Sequence, residues 1–420
     1  MAGTTHAPAV EFAPVVSAAG AFQSAEVKSA PALPLRDETP RVTLCHFTAS
    51  HAQLKSRSYH RECLPLSASG VGIRYVSPAR TPAAHGTPGK QIECCTIPRR
   101  DSRLRRALAA PSLLRTLLRQ RAGIYHFQDP ELLPVAFALK TLFRKRVIYD
   151  AYEEFPSMAL HARAIPPALR SLAAKLIAAT ERMAARTFDG VMTADPFTLR
   201  RLARTGKSHK LVFYNFPNLD YFPPPSPVEK PFDLVYRGGL SERAGTYVLL
   251  DALNILAARG ISAKLLLLGY FDGPSEEAAL RRRIQEFGLA ESVTLRGRID
   301  HEEMAAALTQ ARIGISPLQA IPKFLLNIPV KIFEYWACGL PVIASDLPSI
   351  RPFFRNVRAG ILFNQDDVQA LARSIAWMLD HHEEAAAMGR QGRHAVATRF
   401  NNRRESERFR NFCMRIAANR

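Results

Sequence analysis

The chain has 420 residues, 47% of them hydrophobic, and a formal net charge of +20. That length suits two domains with cores of their own, and the absence of any run of 18 apolar residues predicts no transmembrane helix. With no basic start leading into an apolar core, no secretory signal is expected; six cysteines (45, 63, 94, 95, 338 and 413) with neither metal-ligand nor disulfide spacing fit a reduced, cytoplasmic setting.

Residues 1–40 are rich in Ala, Pro and Val without either helical or strand period, which predicts a disordered tail. Glu11, Glu26, Asp37 and Glu38 outnumber Lys28 and Arg36 there, so the positive charge belongs to the folded part. It suits an anionic partner (a membrane surface, nucleic acid or a nucleotide diphosphate), or it follows from arginine-rich composition alone. Arg41–Phe47 reads as a buried strand, and the His51–Cys63 segment after it carries Arg57, His60, Arg61 and Glu62. Val71–Ser77 and Gln91–Ile97 are the next strands. Residues 99–121 hold eight arginines against Asp101, interleaved with leucines and broken near Pro111. This basic amphipathic stretch fits docking on an anionic membrane, and equally a helix with a solvated basic face. Ile124–Pro134 runs from a strand bearing His126 into a helix that starts at Asp129 and Pro130. Arg146–Asp150 is a strand followed by Tyr152, Glu153 and Glu154; Pro166–Arg186 is a long helix; Asp189–Ala194 and Lys210–Tyr214 are strands. Five prolines between Tyr221 and Pro231 mark a linker.

The second half opens on a strand that runs into Gly238, Gly239, Ser241, Arg243 and Gly245, then a helix to about Arg259. A strand, a Gly turn and a helix start favour phosphate. Strands at Lys264–Leu268, Ser292–Leu295, Ile313–Ser316 and Val342–Ala344 alternate with helices, predicting a parallel sheet. Before the last of these lies the most informative stretch. Asn327 is placed to cap a helix, Pro329 suits its first turn, Gly339 ends it and Pro341 prevents its restart. Lys331, Glu334, Tyr335 and Cys338 share one face, opposite Ile332, Phe333, Trp336 and Ala337. The polar face is expected to look into a solvated cleft, Lys331 and the helix N-terminus toward a phosphate and Glu334 toward ribose hydroxyls.

From Pro329 to Asp346 the sequence resembles the donor-binding segment of family 4 glycosyltransferases, Pro-x-Lys-x-Phe-Glu-Tyr-x-Ala-x-Gly-x-Pro-Val-Ile-Ala-Ser-Asp. Arg57, His60, Glu62, His126, Asp129 and the Asn215–Asn218 segment match further family patterns, so the resemblance extends over about residues 41–400. It implies an α/β chain of GT-B fold, two Rossmann-like domains with parallel sheets facing a cleft. The acceptor domain would span 41–220, the linker 221–231 and the nucleotide-sugar domain 232–400, with a helix in 401–420 crossing back. It further implies a retaining hexosyltransferase-like enzyme with no cofactor or required metal, moving sugar from a nucleotide-sugar donor to a glycan or lipid-linked acceptor in polysaccharide or glycoconjugate biosynthesis; the charge, not the resemblance, adds an anionic membrane surface as a candidate partner. Lys331, Glu334 and Arg243 would be catalytic, with Gly238, Gly239, Ser241, Asn327, Pro329, Lys331, Glu334 and Tyr335 on the donor. Arg57, His60, Glu62, His126, Asp129, Tyr152 and Glu153 would lie on the acceptor side. Three family positions differ: Tyr152 stands for a histidine, Ala244 for a basic residue and Leu326 for the first of two glutamates. Tyr stays neutral at pH 7 and cannot serve as a base. These departures leave open a GT-B protein that binds a nucleotide sugar or partner without turnover. No recognition motif supports specific nucleic-acid binding.

Overall fold

In the computed structural model the described residues are 42–48, 56–78, 92–100, 103–162, 165–202, 206, 208–224, 229–271, 273–300 and 302–418. The expected N-terminal tail, residues 49–55 of the first loop and 225–228 of the linker lie outside them.

The first domain is a seven-stranded sheet in the order β3-β2-β1-β4-β5-β6-β7. Its strands are β1 (Thr43–Phe47), β2 (Gly72–Ser77), β3 (Ile92–Thr96), β4 (Ile124–Phe127), β5 (Arg146–Ala151), β6 (Gly190–Thr193) and β7 (His209–Val212). The second is a six-stranded sheet in the order β10-β9-β8-β11-β12-β13. It comprises β8 (Phe232–Gly239), β9 (Leu265–Tyr270), β10 (Val293–Arg296), β11 (Ala311–Ser316), β12 (Val342–Ser345) and β13 (Gly360–Phe363). Every pairing is parallel, for example Leu44 with Ile124 in the first sheet and Ile315 with Tyr236 in the second. Helices cover both faces, so the inner strands are buried on two sides and read as apolar runs such as Leu265–Leu268. Strand order reverses between β1 and β4 and again between β8 and β11, and at such points ligands bind beyond the carboxyl ends of the strands.

The central helix spans Val330–Ala337, and the chain leaves it at Gly339 in the left-handed conformation (φ 72°) that glycine adopts without strain. Pro329, not Asn327, occupies the cap position. Asn327 is extended and ends the preceding short helix, Pro322–Leu326. The sequence suggested one packed and one open face, but all residues from Lys331 to Ala337 are buried. Ile332, Phe333 and Trp336 enter a cluster with Phe216, and the Trp336 indole donates to the Ala359 carbonyl at 3.0 Å. On the opposite face Tyr335 fills the space left by Gly314, where a Cβ would meet the ring at 2.4 Å.

The basic stretch folds as two helices, Arg103–Leu108 and Ala110–Arg119, with Pro111 in the first turn of the second. Leu113 and Leu117 are buried in the first-domain core, and Leu114 and Leu118 pack against it. The leucines of the second helix are therefore covered by the protein's own core, while Leu108 of the first stays exposed.

The last helix, Asn402–Ala418, packs on the first domain. Phe409, Phe412, Cys413 and Ile416 share a core with Leu44, Ile124, Met192 and Phe213. Gly190 admits it: a Cβ there would lie 2.7 Å from Ile416 Cδ1 and 2.8 Å from the Phe412 ring. Phe412→Ala should cost about 3–5 kcal/mol, the usual penalty for emptying a buried aromatic site. Denaturant unfolding followed on first-domain signals would show it.

Candidate active site

A cleft of about 390 Å³ opens at the carboxyl ends of both sheets. The second domain contributes Gly238 and Gly239 at the end of β8, Ser241 and Arg243 from the following turn, Tyr270 at the end of β9, and Lys323, Asn327, Pro329, Val330 and Lys331 around the start of the central helix. From the first domain come Tyr152 and Glu153 after β5, Asp195 after β6 and Asn215 after β7. Asn327 Nδ2 donates to Glu153 Oε2 across the cleft at 3.2 Å.

The glycines leave room for a cation. Gly238 has φ 143°, and a Cβ on it would lie 2.9 Å from Lys331 Nζ. The Lys331 ammonium sits 4.1 Å from the centroid of the Tyr236 ring, whose face attracts positive charge. Burial, with Arg237 alongside and Glu334 only partly opposing, pushes the Lys331 ammonium down to about 7. Such an amine takes up a proton readily when an anion arrives beside it. Ser241 caps the turn through its carbonyl, which accepts from Thr246 Oγ1 at 3.0 Å and from the Ala244 N–H at 3.1 Å.

Two residues expected to meet the donor stand elsewhere. Glu334 has no exposed surface and does not line the cleft. It lies between Arg237 Nε at 3.3 Å and Arg61 Nη2 at 3.6 Å, guanidinium groups from the two domains. Tyr335 is fully buried; its hydroxyl accepts from the Arg237 N–H at 2.8 Å and donates to the Ile315 carbonyl at 3.2 Å. It ties the helix to β8 and β11. The physical reason is depth: helical periodicity separates faces but does not tell a solvated face from one covered by another domain.

The acceptor-side residues divide in the same way. Tyr152 and Glu153 line the cleft, whereas Arg57, Glu62, His126 and Asp129 are buried beneath it. Arg57 holds Asp150 through two hydrogen bonds of 3.0 Å and Glu62 at 2.9 Å, with Asn215 Oδ1 at 2.5 Å. Gln128 donates to Glu62 at 3.1 Å and to Asp150 at 2.8 Å. Burial, with Asp150 adjacent, raises the Glu62 carboxyl despite Arg57. Thr48 donates to Asp129 at 2.6 Å. His60 is half-buried, with Nδ1 3.2 Å from the Tyr221 hydroxyl, at the domain connection. Burial, more than its acidic neighbours, raises the Tyr152 phenol, so it is neutral at physiological pH.

Among the described residues, His46, Glu62 and His126 have the composition of a metal site, with donor atoms within 4.8 Å. The two histidine Nδ1 atoms are 3.0 Å apart, a hydrogen-bond distance, and Glu62 is engaged by Arg57. None of the three lines the cleft.

Arg61, Arg237, Lys323 and Tyr270 were not singled out from sequence as site residues. Arg237 immediately precedes Gly238 and Gly239 near the carboxyl end of β8, where parallel sheets gather functional groups, but its side chain turns to Glu334 and does not line the cleft. Lys323 stands in the loop feeding the central helix. Arg61 had no local signal, because its partner Glu334 lies in the other domain.

Two outcomes follow from these surroundings. In the unfolded chain Lys331 keeps its proton to about 10.5, while in the fold it loses it near 7. Unfolding thus takes up a proton between those pH values, so stability from this group rises with pH across the window and levels off below it. Lys331→Met should flatten that rise in urea midpoints. Glu334→Gln removes the carboxylate that lies between the two guanidinium groups and should cost about 3 kcal/mol in the same assay.

Residues 231–381 match the family described as Glycosyl transferases group 1. The amylovoran biosynthesis glycosyltransferase AmsK of Erwinia amylovora is 29% identical over 41% of this chain; the chain thus spans only 42% of that relative's length. Over nearly the whole fold, the chain is similar to the sucrose-phosphate synthase of Thermosynechococcus elongatus, with TM-score 0.70 at 19% identity, covering 90% of this chain and 100% of that one. Anabaena Alr3699/HepE, solved in complex with UDP, gives 0.64 at 15% identity, covering 90% and 100%. The segment running from β8 to just past the helix after β13 is thus similar to group 1 glycosyltransferases, and it is set in a chain of GT-B fold.

Proposed function

We propose that this chain transfers a sugar from a nucleotide-sugar donor to a glycan or lipid-linked acceptor, with retention at the anomeric carbon and without a required metal. The observation that carries this is the convergence of Lys331, Arg243 and the Gly238–Gly239 turn at one end of the interdomain cleft. A diphosphate there meets a lysine poised to gain a proton, an arginine and the N-terminal turn of the central helix. That the HepE neighbour was solved in complex with UDP is consistent with a nucleotide at this end of the fold.

In the reaction, the bond between the anomeric carbon and the phosphate oxygen breaks and its electron pair leaves with the diphosphate. The acceptor hydroxyl oxygen bonds to that carbon, and its proton passes to the departing phosphate or to solvent. Lys331 and Arg243 stabilise the charge that develops on the leaving group, an electrostatic contribution fixed before the reaction begins. Glu334 acts by holding Arg237 and Arg61 at the back of the site, not by touching ribose. Asn327 and Glu153 join the donor and acceptor walls. Tyr152, neutral and half-buried, offers the transferred sugar a hydrogen bond and no base. In this reading the enzyme serves polysaccharide or glycoconjugate biosynthesis and works in the cytoplasm at the inner face of the cell membrane.

A thermal-shift screen of uridine, guanosine and adenosine diphosphates and their sugars should find one base that stabilises the protein, by about 2.7 kcal/mol at 100 times its dissociation constant. Lys331→Ala should then weaken that diphosphate roughly tenfold to a hundredfold while leaving the bare nucleoside nearly unaffected. Unchanged diphosphate binding would remove the central helix from the phosphate site. Product NMR gives the anomeric configuration, and inversion would refute retention. Loss of turnover with a chelator would refute metal independence. Donor binding with no transfer to any acceptor would favour a binding protein.

A further inference from the structure

Among the described residues, every large hydrophobic side chain left exposed belongs to the first domain except Tyr270. Most of them lie on two helices that pack together, Phe155–His161 and Pro167–Thr187. On the longer helix Leu169, Leu172, Leu176 and Met183 fall at i, i+3, i+7 and i+14, one stripe along four turns. Met158 and Leu160 add to it from the shorter helix, and the six are 43–58% exposed. The opposite side of the long helix, through Ala174, Ala184 and Ala185, faces inward and is buried.

The charges beside the stripe have one sign. Lys175, Arg182 and Arg186 are exposed along one edge of it. The only acid of the helix, Glu181, is buried, accepting from the Tyr149 hydroxyl at 2.8 Å and from Arg201 at 2.9 Å. An exposed apolar stripe with a purely basic border is the pattern of a helix that lies in a lipid headgroup layer. A second copy of this chain presenting the same face would oppose three cations with three cations. The other amphipathic segment, 110–119, cannot take this part, since Leu113 and Leu117 are inside the core.

We propose that the Pro167–Thr187 helix, with Met158 and Leu160, is a docking face for an anionic lipid surface, its leucines entering the acyl boundary and Lys175, Arg182 and Arg186 meeting the headgroups. The proposal deepens the membrane location given above under the transferase reading, but vesicle binding is measured without donor or acceptor, so either can fail while the other stands.

The test is flotation of the full chain with vesicles of phosphatidylcholine plus phosphatidylglycerol, and with phosphatidylcholine alone. The protein should float with the mixed vesicles at low salt and stay behind with the neutral ones. The triple variant K175Q/R182Q/R186Q should lose about a hundredfold in partitioning, given the contribution of each basic residue near an anionic surface. L172S/L176S should also lose binding, and R115Q/R119Q on the 110–119 helix should keep most of it. The substituted side chains are exposed, so melting should be unchanged; if the serine variant melts early, the charge variant alone decides. Indifference of the wild type to mixed vesicles would overturn the proposal. So would wild-type binding by the triple variant, or a loss confined to R115Q/R119Q. A dimer in sedimentation that L172S/L176S dissociates would assign the face to a second copy.

Discussion

A carboxylate with no exposed atom, Glu334, lies between Arg237 of its own domain and Arg61 of the other. Taking such a group out of water costs several kcal/mol, and only closely placed opposite charge offsets it. Arg61 is fixed from behind, donating to the Asn215 carbonyl at 2.8 Å, and its neighbour Arg57 is clamped by Asp150 and Glu62. Burial and the nearby cations Arg237 and Arg57 push the Arg61 guanidinium down to about 10, with Glu334 opposing. The floor of the cleft is thus a chain of alternating charges that runs from one sheet to the other.

That floor sets the chemistry above it. Arg237 is occupied by Glu334, so its charge reaches the cleft partly neutralised, and Lys331 feels more cation than anion. The result is a lysine whose proton depends on what is bound, next to a glycine turn that permits close approach. Holding cations apart with a buried anion, and leaving one of them short of a counter-charge, suits a site that must accept an anion of two phosphates and release it.

What could be read from the amino acids follows a physical rule. Strand ends and helix starts were legible because apolar runs, Gly turns and Pro positions declare them: Gly238, Gly239, Ser241, Arg243, Pro329 and Lys331 come together because parallel strands deliver their carboxyl ends to one edge. The long apolar strands gave the fold class for the same reason. Depth was not legible. Glu334, Tyr335, Arg57, Glu62, His126 and Asp129 carry polar atoms, and pattern alone places polar atoms toward water. Their burial depends largely on partners far off in sequence, such as Arg61 for Glu334. The leucines of 110–119 and of 167–187 show the converse. Both stretches are amphipathic and basic, and only the packing distinguishes the stripe that is covered from the one that is not. Asn327 missed its cap because Pro329 takes that position two residues later.

The polypeptide passes between the domains twice, once after β7 and once just before the last helix, and the two passages touch. The Asn402 N–H donates to the Pro217 carbonyl at 2.9 Å, and Glu405 accepts from the Tyr214 N–H at 2.9 Å. Asn402 Nδ2 also reaches the Arg61 carbonyl at 2.8 Å. A single strand of chain would let two bodies swing and twist freely; two strands laced side by side leave one easy rotation, about the line joining them. Any opening of the cleft is then a hinge turn with a fixed axis, and Arg61, bonded to one of the crossing strands, sits close to that axis.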